Sequence, residues 1–175
     1  SDYQDPETHL EVIRDALSPY MLGGQYGNLF DKAGAGDLEN LKGWTMFEMG
    51  TLMNMGSTAV TPALLYLFHH CEKSFDGRPT LLILDEAWVF LKNDIFARKI
   101  AEWLKTLRKK NVFVIFATQE LEDAANSPIA STIISQCASK VYLPNEEATT
   151  KMVKEAYRLF GLDDSEIALL ADTRR

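Results

Sequence analysis

A chain of 175 residues, 46% of them hydrophobic, is long enough for one domain with a proper core and too short for two ordinary ones. Its net charge of −7 excludes an overall basic field that would draw it to nucleic acid or to an anionic membrane, so any such contact must be local. No apolar run reaches the ~18 residues of a membrane span, the N-terminus lacks the pattern of a signal peptide, and Cys71 and Cys137 stand far apart with no C-x-x-C or Cys/His spacing around them; they read as buried thiols of a reducing compartment.

In chain order, Asp5-Pro6-Glu7 opens a helix with Leu10, Ile13 and Leu17 on one face. "MLGGQYGNLFDKAGAG" is Gly-rich; residues 20–43 read as a flexible loop, of which 22–37 either contacts other subunits or only connects. "WTMFEM", 44–49, is a candidate strand. Val60, Leu64, Leu67, Phe68, Cys71 and Phe75 are spaced as one face of a helix, and "LLILD", 81–85, follows as a strand. Phe96, Ile100, Trp103, Leu104 and Leu107 repeat the helical stripe, with Arg98, Lys99, Glu102 and Lys105 facing away. "VFVIFAT", 112–118, is a second fully apolar strand and "KVYLP", 140–144, a third; 146–160 is helical up to Gly161, and 163–171 is a short further helix. Uninterrupted apolar strands alternating with helices of this length mean β-α-β units: an α/β fold, one domain over 1–175, with a mostly parallel sheet covered by helices.

The chemistry lies at the strand ends. A strand with no polar face belongs inside a sheet, yet "LLIL" runs straight into Asp85 and Glu86. In open α/β sheets the crevice beyond the carboxyl ends of the strands is where ligands bind. An apolar strand ending in Asp-Glu is the Walker B arrangement of nucleotide-hydrolysing proteins. Its Asp helps to hold Mg²⁺ through water and its Glu takes a proton from the attacking water. The competing reading has both acids capping the next helix, "EAWVFLKN". "VFVIFATQ" ends in Thr118 and Gln119, 34 residues beyond Asp85, the length of one β-α-β repeat, so the two strand ends can be neighbours. A Gln there can hold the attacking water or sense the γ-phosphate, or it can cap a helix beginning at Glu120. Arg108, Lys109 and Lys110 fill the last turn of a helix, where the dipole favours cations in any case; the functional alternative is an arginine finger reaching a neighbouring subunit's nucleotide.

"GRPTLLILDEAWVFL", "FARKIAEWLKTLRKKNVFVIFATQ" and "YLPN" resemble the ATPase domain of the type IV secretion and conjugative-transfer ATPases of the VirB/TrbE/CagE kind. "GGQYGNLFD" and "WTMFEMGTLM" resemble its segments upstream of the Walker B strand. The resemblance implies a RecA-like P-loop core that uses ATP and Mg²⁺, assembles as a hexamer at the cytoplasmic face of the bacterial inner membrane, and energises assembly of and transport through a secretion channel with the other components of that system. Carried over by motif, Asp85 holds Mg²⁺ through water, Thr118 lies with it at the nucleotide, Glu86 is the base, Gln119 the sensor-like glutamine and Arg108 the finger candidate. None of the ten glycines belongs to G-x-x-x-x-G-K-[ST], so the Walker A loop that cradles the phosphates is absent. The chain, which starts without Met and stops on Arg174-Arg175 in mid-pattern, is expected to be the C-terminal part of such an ATPase and inactive by itself. Two other classes stay open: a DNA-translocating RecA-like motor of the coupling-protein or HerA kind, and a non-catalytic docking module for channel partners. His69-His70-Cys71 has no fourth ligand and reads as part of a crossover helix; Trp44, Trp88 and Trp103 read as core or interface.

Overall fold

The computed structural model describes residues 6–31 and 43–173, in two compact units, Ser1–Ser74 and Phe75–Arg175. In the first, α1 (Pro6–Leu17) begins on a proline, whose missing N–H is no loss in a first turn. Its stripe of Leu10, Ile13 and Leu17 is formed but exposed. The Gly-rich stretch that follows is a set of bonded turns as far as it is described. The Gly24 N–H donates to the Met21 carbonyl at 2.8 Å and that of Tyr26 to Pro19 at 2.7 Å. A Cβ on Gly24 would stand 2.3 Å from the Ser18 carbonyl oxygen and one on Gly27 2.2 Å from that of Met21, so the turn admits no side chain at either position. α2 (Gly27–Phe30) closes it, with Tyr20 ringed by Tyr26 and Phe30 at centroid distances of 5.8 and 5.3 Å. The remainder of the expected loop, 32–42, lies outside the described residues.

The segment 44–49 is not a strand. It runs irregularly into α3 (Gly50–Met53), with Trp44 85% exposed. An extended segment becomes a strand only by pairing its N–H and C=O groups with a neighbour, and none of the described residues pairs with it. α4 (Ser57–Ser74) buries Ala59, Leu64, Phe68 and Cys71; of the stripe expected from spacing, Leu64, Phe68 and Cys71 are thus buried, while Val60 and Leu67 are half-buried. Pro62 inside α4 cannot donate to the Thr58 carbonyl; the Tyr20 hydroxyl donates to that carbonyl instead, at 2.9 Å.

The second unit is built on β1 (Thr80–Leu84) and β2 (Val112–Phe116), paired in parallel with Thr80 opposite Val112 and Leu84 opposite Phe116. Between them run α5 (Trp88–Leu91) and α6 (Asp94–Thr106). Asn93 starts α6 by accepting the Ile95 N–H at 2.9 Å, and its face of Phe96, Ala97, Ile100 and Trp103 is buried. The unit continues through α7 (Leu121–Ala125), α8 (Ala130–Gln136), α9 (Lys151–Leu159) and α10 (Asp164–Asp172). Gly161, at φ +100°, stops α9 as expected. A small satellite core of Ala148, Val153, Tyr157 and Ile167 lies under α9 and α10.

Two expectations about the sheet are corrected. First, 140–144 is not a strand: Val141 and Leu143 are 86% and 75% exposed, while Tyr142 packs edge-on against Tyr157 at 5.7 Å. The side chains alternate as in a strand, but no backbone runs beside them and the sheet has two strands among the described residues. Second, among the described residues of this unit the helices bury one face of the sheet more than the other. Leu84 and Val112 are buried and Leu82, Val114 and Phe116 half-buried on that face, whereas Leu81, Ile83, Phe113 and Ile115 are exposed on the other. A right-handed β-α-β crossover places its helix on a single side of the sheet, so the apolar character of both faces exceeds what these residues cover.

Candidate functional site at the carboxyl ends of the strands

Beyond β1 and β2 the backbone pairing continues for one further step. The Ala117 N–H donates to the Leu84 carbonyl and the Ala87 N–H to the Ala117 carbonyl, both at 2.9 Å. Asp85 and Glu86 are therefore held in a turn whose two ends are bonded to the exit of β2, and Ala87, fully buried, anchors it. To make the turn, Glu86 adopts φ +50°, the left-handed region that costs a residue with a Cβ about 1–2 kcal/mol. Such strain persists only where the surroundings fix it, and it clusters at functional sites.

The Glu86 carboxylate is gripped from two sides. Gln119 Nε2 donates to Glu86 Oε1, joining side chains 33 positions apart in sequence. Trp88 Nε1 donates to Glu86 Oε2 at 2.7 Å. Neither the acids nor the glutamine caps a helix: Ala87 is the N-cap of α5 and Glu120 that of α7, both without a side-chain cap bond. Asp85 is exposed, its Oδ1 accepting the Glu86 N–H at 3.0 Å. Thr118 closes a local turn, its hydroxyl and the Glu120 backbone standing at 3.3 Å. Both Asp85 and Thr118 offer oxygen atoms, the donor type preferred by a hard divalent cation that keeps most of its waters.

Arg108 is not part of this cluster. It lies in the 3-10 turn Leu107–Lys110 that leads into β2, so the strand's own length of about 16 Å separates it from the acids. There it borders an open groove of about 420 Å³ shared with Pro79, Thr80, Leu81, Asn111, Val112 and Phe113. The cysteines are free; burial, assisted by the neighbouring Glu72, pushes the Cys71 thiol up to about 11, and burial raises Cys137 despite Lys140. His70 stacks on Tyr66 at 4.3 Å, an aromatic contact along one helix.

Sequence reasoning missed what stands behind Glu86. Trp88, read as core or interface, is half-buried and turns its N–H to the acid. Lys92 Nζ sits 4.1 Å above the centroid of its ring and 3.5 Å from Asp123 Oδ2. The Trp-to-Lys spacing of four within a helical stretch is the one signal of this in the sequence; nothing there points to Asp123.

Residues 2–174 match the family described as TraG P-loop domain. Over 162 residues the chain is 41% identical to the conjugal transfer protein TrbE of Rhizobium radiobacter, covering 93% of this chain and 20% of that protein. It is 33% identical to the type IV secretion system protein virB4 of Bartonella henselae (92% and 21%) and 31% identical to the type IV secretion system protein CagE of Helicobacter pylori (97% and 17%). The chain thus spans about a fifth of the length of these relatives.

Proposed function

The chain belongs to the TraG P-loop domain family, and from that premise we propose that it supplies the water-activating half of an ATPase that energises assembly of, and transport through, a bacterial type IV secretion or conjugation system. The observation that carries the proposal is the contact between Glu86 and Gln119, which joins an acid and an amide at the carboxyl ends of adjacent parallel strands, where α/β folds bind ligands.

In this reading Glu86 accepts the proton of the attacking water, its carboxylate retaining acceptor capacity beyond the two N–H groups it already holds. Gln119 orients that water or meets the γ-phosphate. Asp85 holds Mg²⁺ through water with Thr118 beside it, and the ion, when bound, neutralises charge on the phosphates. Arg108 acts in trans, consistent with its distance from the acids of its own chain. The family match runs through both compact units, which supports reading 1–175 as one domain. A hexamer working with other secretion components at the cytoplasmic face of the inner membrane completes the proposal.

The test compares two proteins. The full-length protein hydrolyses ATP in a Mg²⁺-dependent way. Residues 1–175, which contain no Walker A loop, bind Mg·ATP weakly or not at all in calorimetric titration and do not hydrolyse it, because most phosphate binding comes from that loop. Micromolar binding by residues 1–175 overturns this division of labour. No hydrolysis by the full-length protein returns the chain to a docking module, and strong stimulation by DNA returns it to a DNA-translocating motor.

A further inference from the structure

We infer that Trp88 is a positioning residue for Glu86, and that Lys92 and Asp123 hold Trp88 in place. The inference rests on the ATPase reading for its catalytic consequence, but the contacts that carry it are independent of that reading.

The argument starts from the strain at Glu86. A residue at φ +50° in a turn between a strand and a short helix has its backbone fixed, yet the glutamate side chain keeps several rotatable bonds. For it to present a carboxylate oxygen at one point, something rigid must grip the carboxylate. Gln119 cannot do this alone, since it is itself an exposed, flexible side chain. Trp88 can: it has only two side-chain torsions, and its half-buried indole is a donor only, so its N–H needs an acceptor. The acceptor it finds is Glu86 Oε2 at 2.7 Å. A hydrogen bond to a charged acceptor is about twice as strong as one between neutral groups.

The indole is in turn clamped. Lys92 lies one helical turn on and places its ammonium 4.1 Å over the ring centroid, within cation–π range. Lys92 is held by Asp123 of α7, whose Oδ2 is buried and has no hydrogen-bond partner, leaving the ion pair at 3.5 Å as its compensation. Removing that lysine would leave the shielded Oδ2 without a partner, so the ion pair fixes where the ammonium sits over the ring. The sequence of contacts Gln119–Glu86–Trp88–Lys92–Asp123 thus closes on itself: it starts at Gln119, just beyond β2, and returns to the helix that starts two residues later. A tryptophan serving only to fill space would not need its N–H aimed at the acid.

The experiment uses the full-length protein. Trp88→Phe keeps the ring and the face offered to Lys92 but removes the N–H. It is expected to lower kcat about tenfold, the scale of one charge-assisted hydrogen bond, with KM for Mg·ATP changed less than about twofold and the melting temperature preserved. Should Trp88→Phe unfold, Lys92→Met combined with Asp123→Asn releases the ring without leaving an unpaired carboxylate and should lower kcat in the same direction. The readout that needs no turnover is the indole ¹⁵N–H resonance of Trp88 in tryptophan-labelled protein, assigned by its loss in Trp88→Phe. It should shift in Glu86→Ala and stay in Arg108→Ala. Wild-type kcat in Trp88→Phe, or an indole resonance indifferent to Glu86→Ala, overturns the inference and leaves the ATPase reading standing. Absence of hydrolysis in the wild type overturns the ATPase reading and, with it, the catalytic role given to Trp88, whatever the resonance does.

Discussion

Glu86→Gln isolates the charge of the proposed base from its geometry. Glutamine has the shape of glutamate, so its carbonyl oxygen can still accept the Trp88 N–H at the position now occupied at 2.7 Å. The Gln119 amide, which now donates to Oε1, can flip to present its own oxygen to the new NH₂. The backbone strain at φ +50° is unchanged. What is lost is the capacity to take a proton, and a positioned general base contributes about 10² to 10⁴ in rate, or about 2.7 to 5.4 kcal/mol of barrier. Removing one negative charge beside a triphosphate cannot weaken its binding electrostatically, so Mg·ATP affinity should hold or improve. Glu86→Ala, in contrast, strips partners from both Trp88 and Gln119 and should lower the melting temperature as well as the rate. The assay is steady-state ATP turnover with parallel calorimetric binding in the full-length protein. Turnover within about twofold of wild type in Glu86→Gln would refute the assignment of the base and leave the Gln119–Glu86–Trp88 contacts as a purely structural tie.

Two further outcomes are expected. Arg108→Ala and Glu86→Gln subunits, each inactive alone, should recover part of the turnover when mixed, since mixed oligomers contain sites with an intact acid on one side and an intact arginine on the other; no recovery in oligomers shown to be mixed returns Arg108 to a cation at a helix end. Asp163 accepts the Ser165 hydroxyl and the Ser165 and Glu166 N–H groups while Glu166 accepts the Asp163 N–H, and the Ser165 hydroxyl bond, with the Glu166 N–H next, holds its carboxyl below its ordinary value of 3.8. A lowered folded-state value means the ionic part of the cap's stabilisation is fully present above the ordinary value and is lost as the pH falls through the lowered one; Asp163→Ala should therefore melt earlier than wild type at neutral pH, with the gap narrowing in strong acid, whereas Asp163→Asn, which keeps a neutral acceptor, should fall between the two at neutral pH. A constant gap down to the acid limit would refute the ionic cap.

The parts of the fold legible in the sequence were those whose signal is local and whose partner lies within the described residues. The stripe Phe96, Ile100, Trp103, Leu104, Leu107 declares α6 and the turn that ends it by period alone, and all but the half-buried Leu104 are buried. "LLIL" and "VFVIF" declare themselves by having no polar face. The segments 44–49 and 140–144 carry similar composition but no strand, because composition reports what a residue can do in a sheet and pairing decides whether there is a sheet to join. Val141 and Leu143 alternate with Tyr142 as strand residues would; only Tyr142 finds a packing partner, on α9. The same holds in reverse for Leu81, Ile83, Phe113 and Ile115, whose apolar character predicts a cover that a single crossover helix cannot supply to both faces.

The site divides along the same line. Asp85, Glu86 and Gln119 were legible because the ends of two uninterrupted strands one β-α-β repeat apart must come together whatever the loops do, and the structure joins two of the three directly. Arg108 was legible as a location: the sequence places it in the last turn of a helix, and that turn feeds the amino end of β2, which is the far end from the acids. Trp88 was not legible, because whether an indole fills a core or aims its N–H depends on a torsion that no pattern encodes. Asp123 was less so, since its role exists only through Lys92, and Lys92 matters only once the ring beneath it is known to face the acid. A residue that touches chemistry directly is constrained to particular side-chain types and so leaves a motif. A residue that acts through another needs only to reach it, and any of several side chains would serve. The supporting contacts of this site were therefore open to coordinates and closed to spacing, and the most informative substitutions are those at Trp88, Lys92 and Asp123, where the motif is silent.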